Sequence, residues 1–123
     1  MTYREPLPDS CPPEAAEEIA ADRLLFRLVK TLPPTDEDFK SQRALRPDAS
    51  FEVPECLACG LSVDTERVGI EKTAKLPHFK KRSICAIRVG PGAGRLMQTF
   101  QPTHHTWWPL ADFDILSHCE AHP

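Results

Sequence analysis

Period-2 spacing of apolar positions is clearest in two stretches of the C-terminal half. SICAIRV (83–89) places apolar side chains on both faces, with Arg88 as its one charged position. RLMQTFQ (95–101) also places apolar side chains on both faces. This spacing is typical of β-strands. The glycine-rich link GPGAG between them is typical of a turn. Together they predict an antiparallel hairpin of residues 83–89 and 95–101.

A third strand is predicted from the compact apolar run LLFRLV (24–29). Its single charged residue is Arg27, and a buried guanidinium without a partner costs several kcal/mol. We therefore expect Arg27 to meet a carboxylate, such as that of Asp38 or Glu52, or to hold an anionic ligand.

Capping residues and prolines indicate the helices. SCPPEAAEEIAADR (10–23) predicts a short amphipathic helix, because early prolines and acids precede a stripe of alanine and isoleucine. Thr35, with Asp38 three residues later, predicts about two helical turns that end before Pro47. VPECLACG (53–60) predicts one helical turn, and DTERVGIEKTAKL (64–76) a further helix.

Strands and helices in this irregular order predict an α+β fold, with an antiparallel sheet, including the 83–89/95–101 hairpin, packed against two or three short helices. The chain of 123 residues has the length of one small domain. We expect residues 1–123 to form that single domain, with residues 1–9 and 119–123 loosely ordered.

The distribution of apolar residues and the cysteine count bear on the cellular compartment of the protein. The N-terminal stretch MTYREPLPDSCPP has no apolar segment of the signal-peptide type, and no apolar run approaches the ~18 residues of a membrane span. A cytoplasmic protein without a membrane partner is therefore expected. Its odd number of cysteines, five, favours reduced thiols or a metal site over a disulfide framework.

Charge is unevenly distributed along a chain whose formal net charge is −3. Residues 1–22 contain six acids and one base, whereas residues 67–95 contain eight bases and one acid. The basic segment holds Lys80, Lys81 and Arg82, and continues to Arg88 and Arg95. Such a cluster is suited to an anionic ligand or an acidic protein. A sequence pI of about 5.9 does not favour a general nucleic-acid binder.

The segment THHTWWP (103–109) combines ionisable and aromatic side chains. In an extended backbone His104 and Thr106 share one face with Trp108, while His105 and Trp107 share the other. An imidazole beside an indole can bind a planar or cationic ligand and transfer a proton near neutral pH. His104 and His105 are therefore candidate acid/base residues, and Thr106, Trp107 and Trp108 are candidate ligand contacts.

Cysteine spacing suggests a metal site as a further possibility. Cys56 and Cys59 form a C-x-x-C sequence followed by glycine, a spacing at which two thiolates can share one zinc ion. Zinc takes four ligands, and the candidates for the other two are His78 and Cys85, or alternatively His104 and His105. Packing of the reduced cysteines in the core is the alternative interpretation.

Three functions follow from these features. The leading hypothesis is a non-enzymatic binding or accessory module that contacts an anionic ligand or acidic partner through the basic stretch and the His-Trp segment. The first alternative is a small enzyme acting on a phosphate-containing or nucleotide substrate, with His104 or His105 as acid/base and Arg27 or Arg88 as the charge clamp. The second alternative is a zinc-stapled protein-interaction adaptor.

Overall fold

The computed structural model describes residues 2–120. Over this range the chain forms a seven-stranded antiparallel sheet with three short α-helices, which confirms the predicted α+β class. The strands are β1 (Glu17–Glu18), β2 (Arg23–Val29), β3 (Leu61–Asp64), β4 (Ser83–Val89), β5 (Gly94–Gln98), β6 (His104–Pro109) and β7 (Cys119–Glu120).

The sheet order is β1-β5-β6-β3-β2-β4-β7, so β4 and β5 are not neighbours. The predicted hairpin is therefore wrong, although its turn is present, since the Ala93 N–H donates to the Gly90 carbonyl. β4 pairs along its whole length with β2, while β5 pairs with β6 and β1. A four-residue turn spans less than 7 Å, whereas β4 and β5 stand four strand spacings apart, about 19 Å in a flat sheet. The sheet must therefore curl until the two strand ends meet.

The helices are α1 (Gln42–Leu45), α2 (Glu55–Ala58) and α3 (Arg67–Ala74), accompanied by the 3-10 helices Asp36–Phe39, Pro77–Phe79 and Leu116–His118. The segment predicted to begin at Thr35 is confirmed at its start by a capping box with Asp38. It is divided in two because Lys40 is extended and Ser41 caps α1, accepting a hydrogen bond from the Ala44 N–H. α2 and α3 lie where the capping pattern placed them.

Residues 10–23 contradict the predicted first helix. Their regular structure consists of β1 and the start of β2, joined by irregular chain. The Ile19 N–H donates to the Gly94 carbonyl, and Arg95 Nη1 donates to the Ala16 carbonyl. Pairing with the edge of β5 therefore overrides the weak helical preference of this segment.

The concave face of the sheet holds the main core. Leu25, Val63, Ile87 and Trp107 from four central strands are buried there. Trp107 Nε1 donates to the Ala93 carbonyl at 3.0 Å, and its ring meets Phe113 edge-on. The opposite face carries α3, whose Ile70 packs on apolar side chains of β2 and β4. No helix within residues 2–120 is long and apolar enough to cross a membrane.

Three residues near the N-terminus, within the stretch 1–9 for which loose order is expected, contact distant parts of the described chain. Tyr3 bridges to Leu110, Arg4 forms an ion pair with Asp36, and the Glu5 carboxylate accepts from the Ser41 N–H at 2.8 Å. At the other end, residues 119–120 form β7. Met1 and residues 121–123, which belong to the same expectation, lie outside the described residues.

Candidate functional site

A groove of about 570 Å³ lies on the helix-bearing face of the sheet. Its floor is formed by β3 and β6, which pair so that Ser62 lies opposite Thr106 and Asp64 opposite His104. α3 and the Pro77–Phe79 3-10 helix form one wall, and α1 and α2 form the other. This volume is in the range of small-molecule binding sites.

The wall formed by α1 and α2 is tied in two ways. Arg43 on α1 makes a two-pronged ion pair with Glu55 on α2, with N···O distances of 2.7 and 2.8 Å. Cys56 on α2 forms a disulfide with Cys11 of the N-terminal segment. The expectation of reduced thiols is therefore wrong for this pair, because the fold brings two cysteines 45 residues apart into contact.

Arg27 lies in the groove where β2 and β3 separate. The two strands are paired only at Phe26 and Asp64. Beyond that point Arg27 bridges the gap, since Nη1 donates to the Ser62 carbonyl at 2.7 Å and Nε to the Asp38 carbonyl at 2.8 Å. The expected carboxylate contact is thus replaced by two carbonyls, although the charge of Asp38 is close enough to act on the guanidinium.

The remaining nitrogen of Arg27, Nη2, donates to no group within residues 2–120. No buried side-chain nitrogen of the described chain lacks a hydrogen-bond partner, so Nη2 must reach solvent. Arg27 alternates with Leu25 and Val29 of the core, so its side chain leaves β2 on the core face and reaches the lining of the groove at the gap between β2 and β3. Desolvation lowers the pKa of Arg27 to about 10; the charge of Asp38 opposes this shift, and the weaker effect of the Arg82 charge adds to it. An anion beside Nη2 would relieve both the desolvation and the effect of Arg82.

The side chains that line the groove carry one more positive than negative formal charge, since four are cations (Arg27, Lys30, Lys40, Arg82) and three are carboxylates (Glu37, Asp38, Asp64). Glu37 is bound by Lys40, the Asp38 carboxylate accepts from two backbone N–H groups, and Asp64 accepts from the Glu66 N–H. Besides Lys40, three cations line the groove, namely Arg27, Lys30 and Arg82. None of these three forms an ion pair with a carboxylate within residues 2–120.

His104 presents a free basic nitrogen to the same groove. Its Nδ1 lies 3.0 Å from the Thr99 carbonyl, and a carbonyl can only accept, so Nδ1 carries the proton. Desolvation lowers the pKa of His104, which keeps the ring neutral at pH 7. Nε2 is then an unprotonated acceptor with no partner among the hydrogen bonds of residues 2–120. A neutral imidazole of this kind can accept a proton from a bound ligand or water.

Two hydroxyl groups complete the polar floor. Thr106 is buried and shares a hydrogen bond of 3.0 Å with Thr99, which links it to His104. Ser62 is exposed, and within the described chain its hydroxyl makes no hydrogen bond to protein. Ser62 is not among the site residues predicted from the sequence.

The two tryptophans do not line the groove. Trp107 is 0% and Trp108 1% exposed, so the expectation that they contact a ligand is corrected by their burial. The alternation predicted for β6 is nevertheless observed, because Trp107 enters the concave core while Trp108 packs against Gly60 on the other face. Trp108 Nε1 donates to the Cys56 carbonyl at 3.0 Å. Both rings stabilise the fold, and they leave only His104 and Thr106 of this segment at the groove.

The basic stretch is divided rather than gathered on one surface. Arg82 lines the groove, while Lys80 and Lys81 are exposed beside it. Arg88 forms an ion pair with Glu120, and Arg95 donates to the Ala16 carbonyl. Arg88 and Arg95 are not among the residues that line the groove, and their strands are separated by β6, β3 and β2.

His105 is separated from His104 by the alternation of β6. Its Nδ1 lies 3.0 Å from the Thr103 carbonyl, and its side chain lines a shallow hollow beside β1 with Glu17 and Glu18. The two histidines therefore belong to different surfaces, and only His104 shares a groove with Arg27.

The proposed zinc ligands do not come together. Cys56 is in the disulfide, Cys59 and Cys85 are buried, and His78 is exposed on the Pro77–Phe79 3-10 helix. Within residues 2–120 no three His, Cys, Asp or Glu side chains are arranged to hold a metal ion. Burial raises the pKa of Cys59 to about 11, which further disfavours a thiolate.

Comparison with protein-family models, with curated proteins and with solved structures finds no match to this chain. Its function has to be inferred from the chemistry of the groove.

Proposed function

We propose that this protein is a binding module for a small anionic ligand, and that the ligand lies in the groove between α3 and α1–α2. The observation that carries the proposal is Arg27, a desolvated guanidinium that lines the groove, whose Nη2 makes no hydrogen bond within residues 2–120, and which has the like charge of Arg82 nearby. A bound anion would neutralise both cations.

A phosphate group suits these donors best. Planar guanidinium groups bind phosphate with paired, charge-assisted hydrogen bonds. The exposed Ser62 hydroxyl and the ammonium of Lys30 supply further donors at the same groove. An acidic protein partner and a cytoplasmic location remain predictions.

The proposal is tested by exchanging one groove arginine and one matched arginine outside it. Arg82→Gln should weaken the binding of inorganic pyrophosphate, measured by isothermal titration calorimetry, by about tenfold, because one unpaired cation is removed. Arg88→Gln is the control, since Arg88 is equally exposed but pairs with Glu120 away from the groove.

Backbone amide NMR shifts on titration with pyrophosphate should cluster at β3, β6 and residues 27–30. Absence of pyrophosphate binding by the wild type, or an equal loss in both variants, would contradict a groove site for anions.

A second candidate function, hydrolysis of a bound phosphate compound, is favoured by His104. His104 and Arg27, the predicted acid/base and charge clamp, both line the groove. Water would attack one phosphorus of pyrophosphate while Nε2 takes its proton. The bridging P–O bond would break, and the proton would pass to the departing orthophosphate, so that two orthophosphates leave.

His104→Gln should lower orthophosphate release at least about tenfold, and His105→Gln, on the other face, should leave it unchanged. Since desolvation lowers the pKa of His104 below its usual 6.5, the rate should persist at pH 6.5 and fall only at more acidic pH, where the base becomes protonated. A rate that is insensitive to His104→Gln removes this candidate and leaves the binding module.

A further inference from the structure

Phe100 is the most exposed large apolar side chain of the described chain, with 66% of its surface accessible. It lies at the groove, and its ring centroid is 5.3 Å from that of His104. No other part of the core covers it. The ring therefore gives the groove an apolar surface that is open to solvent.

The backbone conformation of Phe100 is also unfavourable for a residue with a bulky side chain. Its φ is 63°, in the left-handed region that bulky residues rarely adopt. The loop 99–104 holds it there, since the Thr99 N–H donates to the His104 carbonyl and the Gln101 N–H to the Thr99 carbonyl. Glycine or asparagine would fit this conformation better. A residue that is both strained and exposed is typical of a ligand contact.

We infer that Phe100 is a stacking platform for a planar ring carried by the anionic ligand, and that the ligand class is therefore a nucleoside phosphate rather than a simple phosphate or carboxylate. The inference rests on the proposed function, because Arg27 and Arg82 would hold the anionic end. Rings of nucleobases stack on exposed aromatic side chains irrespective of base identity.

The groove offers the two ends that such a ligand needs. Cations and the Ser62 hydroxyl serve the phosphate and sugar, while Phe100, with the neutral imidazole of His104 beside it, offers a ring surface. An amino group on the base of the ligand could also donate a hydrogen bond to Nε2 of His104.

AMP and ribose 5-phosphate form the decisive pair of probes, because they share the sugar phosphate and differ only in the base. Wild-type protein should bind AMP about tenfold more tightly than ribose 5-phosphate by titration calorimetry. Phe100→Ala should remove that difference by weakening AMP alone, and Phe100→Trp should keep it. Ribose 5-phosphate should bind all three proteins equally.

The two proposals, the stacking platform and the anion site, are contradicted by different results. If ribose 5-phosphate and AMP bind the wild type equally, and Phe100→Ala leaves both unchanged, the stacking platform is refuted while the anion site stands. If neither probe nor pyrophosphate binds, the proposed function fails and this inference with it. Phe100→Asn serves as the folding control, since it removes the ring while favouring the left-handed backbone. Its thermal unfolding midpoint should equal or exceed that of the wild type, and it should lose the preference for AMP.

Discussion

Replacing Trp107 with alanine is expected to lower the free energy of unfolding by about 3–5 kcal/mol. The ring is fully buried at the centre of the concave core, with Leu61 opposite it on β3 and Leu96 opposite it on β5. Truncation leaves a large cavity and also removes the hydrogen bond from Nε1 to the Ala93 carbonyl, which is buried in the turn between β4 and β5.

Urea denaturation followed by circular dichroism measures this loss. Val68→Ala on α3 is the control, because Val68 is 54% exposed and its truncation should change the free energy of unfolding by less than about 0.5 kcal/mol. A loss below about 1 kcal/mol for Trp107→Ala would show that the ring does not fill the core. The burial on which the placement of the groove depends would then be wrong.

Replacing Arg27 with methionine is expected to weaken pyrophosphate binding by about 100-fold. The variant keeps much of the side-chain length and apolar contact but removes the charge and all the donors that can reach the anion. Arg27 should matter more than Arg82, because it is the less exposed of the two and its charge is therefore less screened by water.

Arg27 also holds β2 to β3 where the strands separate, so a structural effect must be distinguished from a binding effect. Arg27→Lys keeps a cation but cannot make both carbonyl contacts of the native side chain. We expect Arg27→Lys to lose stability in urea as Arg27→Met does, yet to retain more affinity for pyrophosphate than the methionine variant. Equal affinities for the two variants would show that the arginine only supports the sheet.

Only some of the side chains predicted for the site line the groove. His104, Thr106, Arg27 and Arg82 were selected and do share the groove. Lys30, Ser62 and Phe100 were not selected, because each stands alone in a stretch without a recognisable motif. They meet the others only when β2, β3 and the loop before β6 come together.

Local patterns determined β2, β4 and β5, the capping box at Thr35, and the division of β6 into two faces, because each depends on neighbouring side chains and on the periodicity of the backbone. The same local rules also predicted a helix over residues 10–23 and a hairpin across GPGAG, and both were overridden by partners distant in the chain. Residues 17–18 of the first segment pair with β5 instead of forming a helix. The sheet curls so that β4 and β5, which flank the GPGAG turn, are not neighbours in the strand order.

Tertiary structure alone decided which polar residues share the groove. Strand order brings Arg27 to the Ser62 carbonyl and places His104 in the lining of the same groove, while Arg88 and Arg95 lie outside that lining. Burial determined that both tryptophans are structural, although in sequence they resemble a binding segment. Strand pairing depends on how each strand packs against every other strand edge that the whole chain offers, so no window of neighbouring residues contains the information that determines it.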